Sequence, residues 1–250
     1  MAYQEENTRT AMLLGKNAVE RLEAAHVAVF GVGGVGGHLC EALARAGVGA
    51  IDLFDSDAVS PSNMNRQIIA LHSTIGMPKV EVMKARILDI NPDCRVRAYQ
   101  TFYLPENADL YPLEGYTYIA DAVDTVTAKV ELAVRAEQTG VPMIAAMGAG
   151  NKLDPTRFCV TDLFKTSGCP LARVMRRELK QRGIRRLKVV FSDETAAVRQ
   201  SEAQGALDRE GHKRIPGSVS FVPSVVGLIM AGEIIKDITA DAESVKKENV

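Results

Sequence analysis

The sequence has no closely spaced cysteines, no long apolar run and no excess of either charge. Its four cysteines, Cys40, Cys94, Cys159 and Cys169, are scattered through 250 residues. A structural zinc site or a redox dithiol places two thiols within a few residues of each other, so neither is expected. Scattered thiols in a chain of this length also point to a reducing compartment rather than a disulfide framework. The longest apolar stretch, Val225–Ala231, is far shorter than the ~20 residues that cross a bilayer, and no membrane partner is expected. The polar opening MAYQEENTRT does not read as a secretory leader, which makes the cytoplasm the expected location. Lys plus Arg total 30 against 31 for Asp plus Glu, a net charge of −1. That balance excludes a uniformly basic nucleic-acid coat and an acidic disordered tail, and it leaves local patches open. No internal repeat is visible.

What is present is an alternation of buried strands and amphipathic helices. His26–Phe30 is a short apolar run that enters Gly31-Val-Gly-Gly-Val-Gly36, and Leu39, Leu43 and Ala46 then recur at helical spacing. A second strand is expected at Ala50–Phe54, and a helix starts near Pro78 with Val80, Met83, Ile87 and Ile90 on one face. Strands at Arg95–Tyr99, Tyr116–Ala120 and Met143–Ala146 and a helix over Ala128–Gln138 complete the first half. This order predicts an α/β fold with a Rossmann-like open sheet, mainly parallel. The second half predicts a strand at Arg157–Leu163, a helix at Pro170–Arg182, a strand at Leu187–Phe191 and a last helix at Val225–Ile238 with Ile229, Ile234 and Ile238 inward. It reads as a smaller α+β C-terminal extension. Residues 9–150 form the expected nucleotide-binding domain and 151–240 its extension. The polar stretch Asp193–Pro216 is expected to be a mobile loop, and residues 1–8 and 241–250 to be disordered.

Gly31, Gly33, Gly34 and Gly36 lie in a strand–turn–helix setting that lets backbone approach a phosphate at a helix N-terminus. Asp55 ends the next strand, where a carboxylate can take ribose hydroxyls. By itself the motif suggests NAD. The residues after Asp55 do not suit a hydride-transfer enzyme, because the nicotinamide needs no cation cluster. Arg66 and Lys79 flank one loop, and fixed cations there suit the charge that spreads over a triphosphate during cleavage. A lysine in the first turn of a helix is mildly disfavoured by the helix dipole, an anomaly that a bound phosphate would relieve. Asp124, just past the Tyr116–Ala120 strand, has two readings of equal weight: a single-carboxylate Mg²⁺ ligand beside phosphates, or the cap of the following helix.

Six motifs in order carry a resemblance. They are Arg9 before Leu13-Leu-Gly15, the glycine turn 31–36, Asp55-Ser-Asp57, Asn63-Met-Asn-Arg-Gln67, Pro78-Lys79 and Asp121-Ala-Val-Asp124. Together they resemble the ubiquitin-activating-enzyme-like (ThiF/MoeB-type) adenylyltransferase superfamily, over residues 9 to about 150. Members that activate sulfur carriers usually hold zinc through two CxxC pairs, which this chain lacks, so no zinc is expected. Thr166–Lys180 and Gly217–Pro223 resemble the branch that dehydrates threonylcarbamoyladenosine in tRNA, extending the likeness to about residue 238.

The resemblance implies that a threonine carboxylate on the modified tRNA attacks the α-phosphate of ATP. The acyl-adenylate then closes intramolecularly with loss of AMP. It implies ATP and Mg²⁺ as cofactors; a monovalent cation is neither required nor excluded. It assigns Gly31, Gly33, Gly34, Gly36, Asp55 and Asp57 to the nucleotide site, with Asp55 on the ribose. Asn63, Arg66 and Lys79 would meet the phosphates and Asp124 would hold Mg²⁺. Arg9 would reach into the partner's nucleotide site, which implies a homodimer. Arg9, Arg66, Lys79 and Asp124 form the implied catalytic set. The competing readings are adenylation of a ubiquitin-like sulfur carrier, an NAD-dependent oxidoreductase and a nucleotide sensor without turnover.

Between Arg173 and Lys188 eight basic residues face one acid, Glu178, a net of +7 in sixteen residues. Arg173, Arg176, Arg177 and Lys180 share one helix face, and a stripe so poor in acids suits a polyanion, here tRNA. His212, Lys213 and Arg214 in the polar loop can add to it. Cys169, just ahead of this helix, is expected to be a packed thiol, since a ring closure requires no thioester.

Overall fold

The computed structural model describes residues 5–195 and 216–240 of the chain. Helices α1 (Thr8–Leu14) and α2 (Lys16–Ala24) lead into β1 (His26–Phe30), α3 (Gly36–Arg45) and β2 (Ala50–Phe54). After a long loop come α4 (Lys79–Ile90), β3 (Arg95–Tyr99), β4 (Tyr118–Asp121), α5 (Val126–Thr139) and β5 (Met143–Ala146). The chain continues through β6 (Phe158–Asp162), α6 (Pro170–Gln181), β7 (Lys188–Ser192) and α7 (Phe221–Thr239).

All seven strands form one sheet in the order β3-β2-β1-β4-β5-β7-β6. Every neighbouring pair is parallel except β6 on β7. The mainly parallel open sheet expected from the sequence is therefore present, and the strands of the second half continue it instead of forming a sheet of their own. Chain order reverses direction between β1 and β4, so the loops that follow these two strands diverge and leave a crevice at their carboxyl ends.

Both faces of the sheet are covered, which is why its strands read as nearly continuous apolar runs. Val27 and Val29 point into a core shared with α2, α3, α4 and α7, while Ala28 and Phe30 point into a second core shared with α5 and α6. Helix α7 starts at Phe221, four residues before the expected Val225, because Pro223 lies in the first turn, where no intrahelical N–H is lost. Val222, Val226, Met230 and Ile234 form its fully buried face, and the expected inward residues Ile229 and Ile238 flank that face partly buried. At Gly227 the helix meets α3 so closely that a Cβ would lie 2.3 Å from the Val35 carbonyl oxygen.

The expectation of disorder over residues 1–8 is corrected from residue 5 onward. Glu5–Asn7 forms a 3₁₀ turn, Thr8 opens α1, and the buried Asn7 amide packs beside Gly47. Residues 1–4, 241–250, and 196–215 of the polar loop, with His212, Lys213 and Arg214, lie outside the described residues.

Helices α3 and α4 are tied by Glu41, which accepts a hydrogen bond from Arg45 at 2.8 Å and pairs with Arg86 across the interface. Burial raises the Glu41 carboxyl, but the two guanidinium groups outweigh it and hold it below the ordinary glutamate range. A carboxylate with a lowered folded pKa stabilises the protein at neutral pH, and that contribution disappears as pH falls through the lowered value. Glu41→Gln should cost about 1–2 kcal/mol at neutral pH. In urea unfolding the gap to the parent should begin to narrow near the ordinary glutamate value of about 4.3 and close below the lowered one.

Candidate active site

The crevice at the carboxyl ends of β1, β2 and β4 is a cavity of about 370 Å³. Gly31, Gly33, Gly34, Asp55, Asp57, Asn63, Arg66, Lys79 and Asp124 all line it. Residues up to 93 positions apart in sequence thus converge where a doubly wound sheet binds ligands.

The glycines divide the work. Gly31 has φ of 89°, and a Cβ on it would lie 2.7 Å from the Ala122 carbonyl oxygen. Gly33 and Gly34 line the cavity. Gly36 does not; a Cβ there would fall 1.8 Å from the Gly31 carbonyl oxygen, so its part is to seat α3 directly on the strand end.

Asp55 holds the turn in place. Its Oδ2 accepts the Val32 N–H at 2.7 Å and its Oδ1 accepts the Asp57 N–H at 2.9 Å. Burial pushes its carboxyl above the ordinary aspartate value despite the nearby Lys79. Each oxygen keeps a lone pair for a further donor, as a ribose hydroxyl would need. Lys79 is only 5% exposed, and its Nζ lies 2.6 Å from Asp57 Oδ2 and 3.9 Å from Asp55 Oδ1. These carboxylates already offset the cation at the start of α4, so the anomaly noted in the sequence needs no phosphate to relieve it.

Arg66 donates to the Ser62 carbonyl and to Asn65 Oδ1, both at 2.9 Å, which braces its guanidinium on the cavity wall. Asn63 spends its Oδ1 on the Ser60 N–H at 3.0 Å, leaving its amide N–H groups as the polar end that can serve a ligand. Asn65 Nδ2 donates to the Ser218 carbonyl at 2.9 Å and so joins this loop to the wall formed by Pro216, Ser218 and Pro223. Asp124 is exposed on the cavity side, with Thr125 Oγ1 at 3.4 Å. The N-cap of α5 is Thr125, so the helix-cap reading of Asp124 falls away. Among the described residues no three His, Cys, Asp or Glu groups cluster as a metal cage. A cation at Asp124 would take one carboxylate from the protein and further oxygens from phosphates, as Mg²⁺ usually does.

Several site features were not among the residues singled out from the sequence. Phe30, Phe54, Thr101, Phe102 and Tyr103 form an apolar wall beside Asp55, with Phe30 and Phe54 stacked at 4.4 Å and Tyr103 edge-on to Phe30 at 4.9 Å. Gln67 is buried on the cavity, and its Oε1 has no hydrogen-bond partner among the described residues. Under the Asp124 turn, Asp121 and Lys129 form a fully buried ion pair at 2.8 Å. The DxxD and NxxRQ spacings point to Asp121 and Gln67; nothing in the sequence points to Lys129 or to the aromatic wall.

Other sequence candidates lie outside the cavity. Arg9 is exposed on α1, beside Met12 and Leu13, which are 80% and 84% exposed. On α6, Arg173, Arg177 and Lys180 are exposed, Arg176 is tied to the Thr166 carbonyl and hydroxyl, and Arg177 and the C-cap Arg182 both pair with Glu178. Cys169 is buried at the N-terminus of α6, its Sγ close to Gly148.

Residues 6–250 match the ThiF family. The chain belongs to the ThiF family. The tRNA threonylcarbamoyladenosine dehydratase of Bacillus subtilis is 44% identical over 242 residues, covering 94% of this chain and 95% of that protein. The crystal structure of Escherichia coli tRNA N6-threonylcarbamoyladenosine dehydratase in complex with ATP superposes with a TM-score of 0.85 at 36% identity, over 98% of this chain and 97% of that one. A sulfur carrier protein adenylyltransferase of Thermus thermophilus is 34% identical, but over 131 residues only, 52% of this chain and 48% of that protein. Within the ThiF family the likeness thus runs end to end with the tRNA enzymes and stops half-way with the sulfur-carrier enzyme.

Gly31 and Gly76 separate the two costs of a glycine turn in this family member. Both have positive φ, 89° and 87°, but a Cβ at Gly76 meets nothing within 4 Å. Gly76→Ala should cost only the left-handed backbone strain, about 1 kcal/mol. Gly31→Ala should cost about 1–3 kcal/mol more, because Ala122 must also shift. Chemical denaturation of the two variants checks the difference.

Proposed function

We infer that the chain catalyses the ATP-dependent dehydration of N6-threonylcarbamoyladenosine in tRNA. The observation that carries this reading is the end-to-end 44% identity with the Bacillus subtilis dehydratase, combined with a cavity whose groups suit a nucleotide triphosphate. A carboxylate is a poor acyl donor. Attack of its oxygen on the α-phosphate of ATP expels pyrophosphate and leaves an acyl-adenylate. A nucleophile of the same modified base then attacks the acyl carbon, the C–O bond to AMP breaks, and the ring closes. The carboxylate oxygen departs with AMP and the nucleophile's proton is released to solvent, so the nucleoside has lost one water. Both partners of the second step are tethered, and their high effective concentration lets closure proceed with little chemical help.

In this reading Asp55 takes the ribose hydroxyls and the aromatic wall beside it takes the adenine. Lys79, Arg66 and the Asn63 amide face the phosphates; Lys79 is held ready by Asp57, so little reorganisation precedes catalysis. Asp124 would hold Mg²⁺, which when bound would neutralise charge on the phosphate oxygens. Arg9 serves the site of a second subunit, and the exposed Met12 and Leu13 on the same helix suit a homodimer contact. The tRNA track consists of Arg173, Lys180, Arg185 and Arg186, all exposed and without an ion-pair partner among the described residues. Arg176 and Arg177 stand at the edge of this track, Arg176 tied to Thr166 and Arg177 exposed but paired with Glu178. Phosphate contacts of this kind fix the tRNA in place without reading its bases. A tRNA substrate puts the proposed place of action in the cytoplasm. No described helix is long and apolar enough to cross a membrane.

The test incubates purified protein with ATP and tRNA carrying the modified adenosine and follows the nucleosides by mass spectrometry. An ATP-dependent loss of one water is expected. An unchanged nucleoside, with pyrophosphate exchange appearing only when a sulfur-carrier protein is added, would overturn the reading. Replacing Arg173, Lys180, Arg185 and Arg186 by Ala should weaken tRNA binding roughly tenfold or more and flatten its salt dependence. ATP binding should stay at the parent value, and an equal loss of both would contradict the separate track.

A further inference from the structure

We infer that the buried ion pair Asp121–Lys129 positions the Ala122–Asp124 turn, and through that turn sets Asp124 and the glycine turn against a bound nucleotide. The inference rests on the nucleotide reading above and adds to it two residues that do not touch the ligand.

Both side chains are wholly buried, and Lys129 Nζ lies 2.8 Å from Asp121 Oδ2. The same ammonium donates to the Val123 carbonyl at 3.1 Å, while Asp121 Oδ1 accepts the Val123 N–H at 3.1 Å. One ion pair therefore grips both polar groups of a single loop residue. On one side of Val123 stands Asp124, exposed to the cavity; on the other stands Ala122, whose carbonyl oxygen sets how close Gly31 can come. Helix α5 has no side-chain cap at Thr125. Lys129, one turn into the helix, fixes the entry to α5 in its place.

Stability does not explain the pair. Removing two charges from water costs about as much as their attraction returns, and apolar residues of similar volume often serve a core equally well. What the pair supplies and apolar residues do not is direction: donors and acceptors that hold the backbone of one turn in one conformation. Groups that orient a ligand-binding residue typically change affinity about 10- to 100-fold when removed.

The experiment compares the parent with Lys129→Met and with the double variant Asp121→Asn/Lys129→Met, which leaves no lone charge in the core. Calorimetric ATP binding is measured across a Mg²⁺ series, with thermal unfolding and tRNA binding in parallel. The double variant should melt close to the parent, bind ATP about tenfold or more weakly and need more Mg²⁺ for half-maximal binding, with tRNA affinity unchanged. A purely structural pair would move the melting temperature and leave the Mg²⁺ requirement alone. A double variant that folds and matches the parent in ATP affinity and Mg²⁺ requirement overturns the inference.

Hydrogen exchange on the unaltered protein tests the same turn without any substitution. In the absence of nucleotide, the Val123 amide should exchange as slowly as those of β4, and exchange at the rate of an open loop overturns the inference. A parent that binds no ATP would sink the nucleotide reading, and exchange at Val123 would still decide whether the pair holds the turn.

Discussion

The structure turns on three backbone segments that approach each other more closely than side chains permit. Gly31 packs on the Ala122 carbonyl, and Gly36 packs on the Gly31 carbonyl. This stack joins the end of β1, the turn after β4 and the first turn of α3 at the point where the strand order reverses. Hydrogen bonds from the Gly31 N–H to the Phe54 carbonyl and from the Ala122 N–H to the Phe30 carbonyl lock the ends of β1, β2 and β4 together. Close approach also sets the depth of the cavity: with side chains at 31 and 36, α3 would move away from the sheet and its N-terminus away from any ligand. The contact between α7 and α3 at Gly227 repeats the device on the outer side of α3, so this helix is held closely from both sides.

Charge is arranged by local compensation. Lys79 and Lys129 are both buried, and each is met by carboxylates within ion-pair distance. Two buried cations beside one cavity would otherwise be costly to desolvate. The pairing keeps their side chains oriented, and preorganised charge is what stabilises charge developing on a phosphoryl group. At the surface the same logic works in reverse. Of the eight basic residues in Arg173–Lys188, Arg177 and Arg182 pair with Glu178, and Lys188 pairs with Glu233 and Asp237 of α7. The positive surface is smaller than the sequence count implies, and it is concentrated on Arg173, Lys180, Arg185 and Arg186.

Much of the fold was legible in the sequence, because it rests on periodicity and glycine placement. The strand at His26–Phe30, the turn that follows it and the strand at Ala50–Phe54 appear where the pattern puts them. Element ends were less legible. The β4 strand runs from Tyr118 to Asp121 and not from Tyr116 to Ala120, which moves Asp121 from the turn into the strand and under the sheet. The end of a strand depends on which neighbour it pairs with, and pairing is a property of distant residues. The candidate site was legible where motifs carry charged groups at fixed spacing, as at Asp55, Arg66, Lys79 and Asp124. The aromatic wall was not: Phe30, Phe54 and Tyr103 come from the ends of β1 and β2 and the loop after β3, and each alone is an ordinary core residue.

By itself the sequence determined the α/β class, the glycine turn after β1 and the charged residue types that gather around one cavity. Those follow from local rules: side-chain period, the conformational freedom of glycine, and the order of charged groups along one loop. Only the tertiary structure decided which basic residues of α6 have partners, that Lys79 is already paired, that Gly36 packs on the Gly31 carbonyl, and that Lys129 grips the turn before Asp124. The reason is physical. A side chain's availability depends on every group within a few ångströms, and in a doubly wound sheet most of those groups come from elsewhere in the chain.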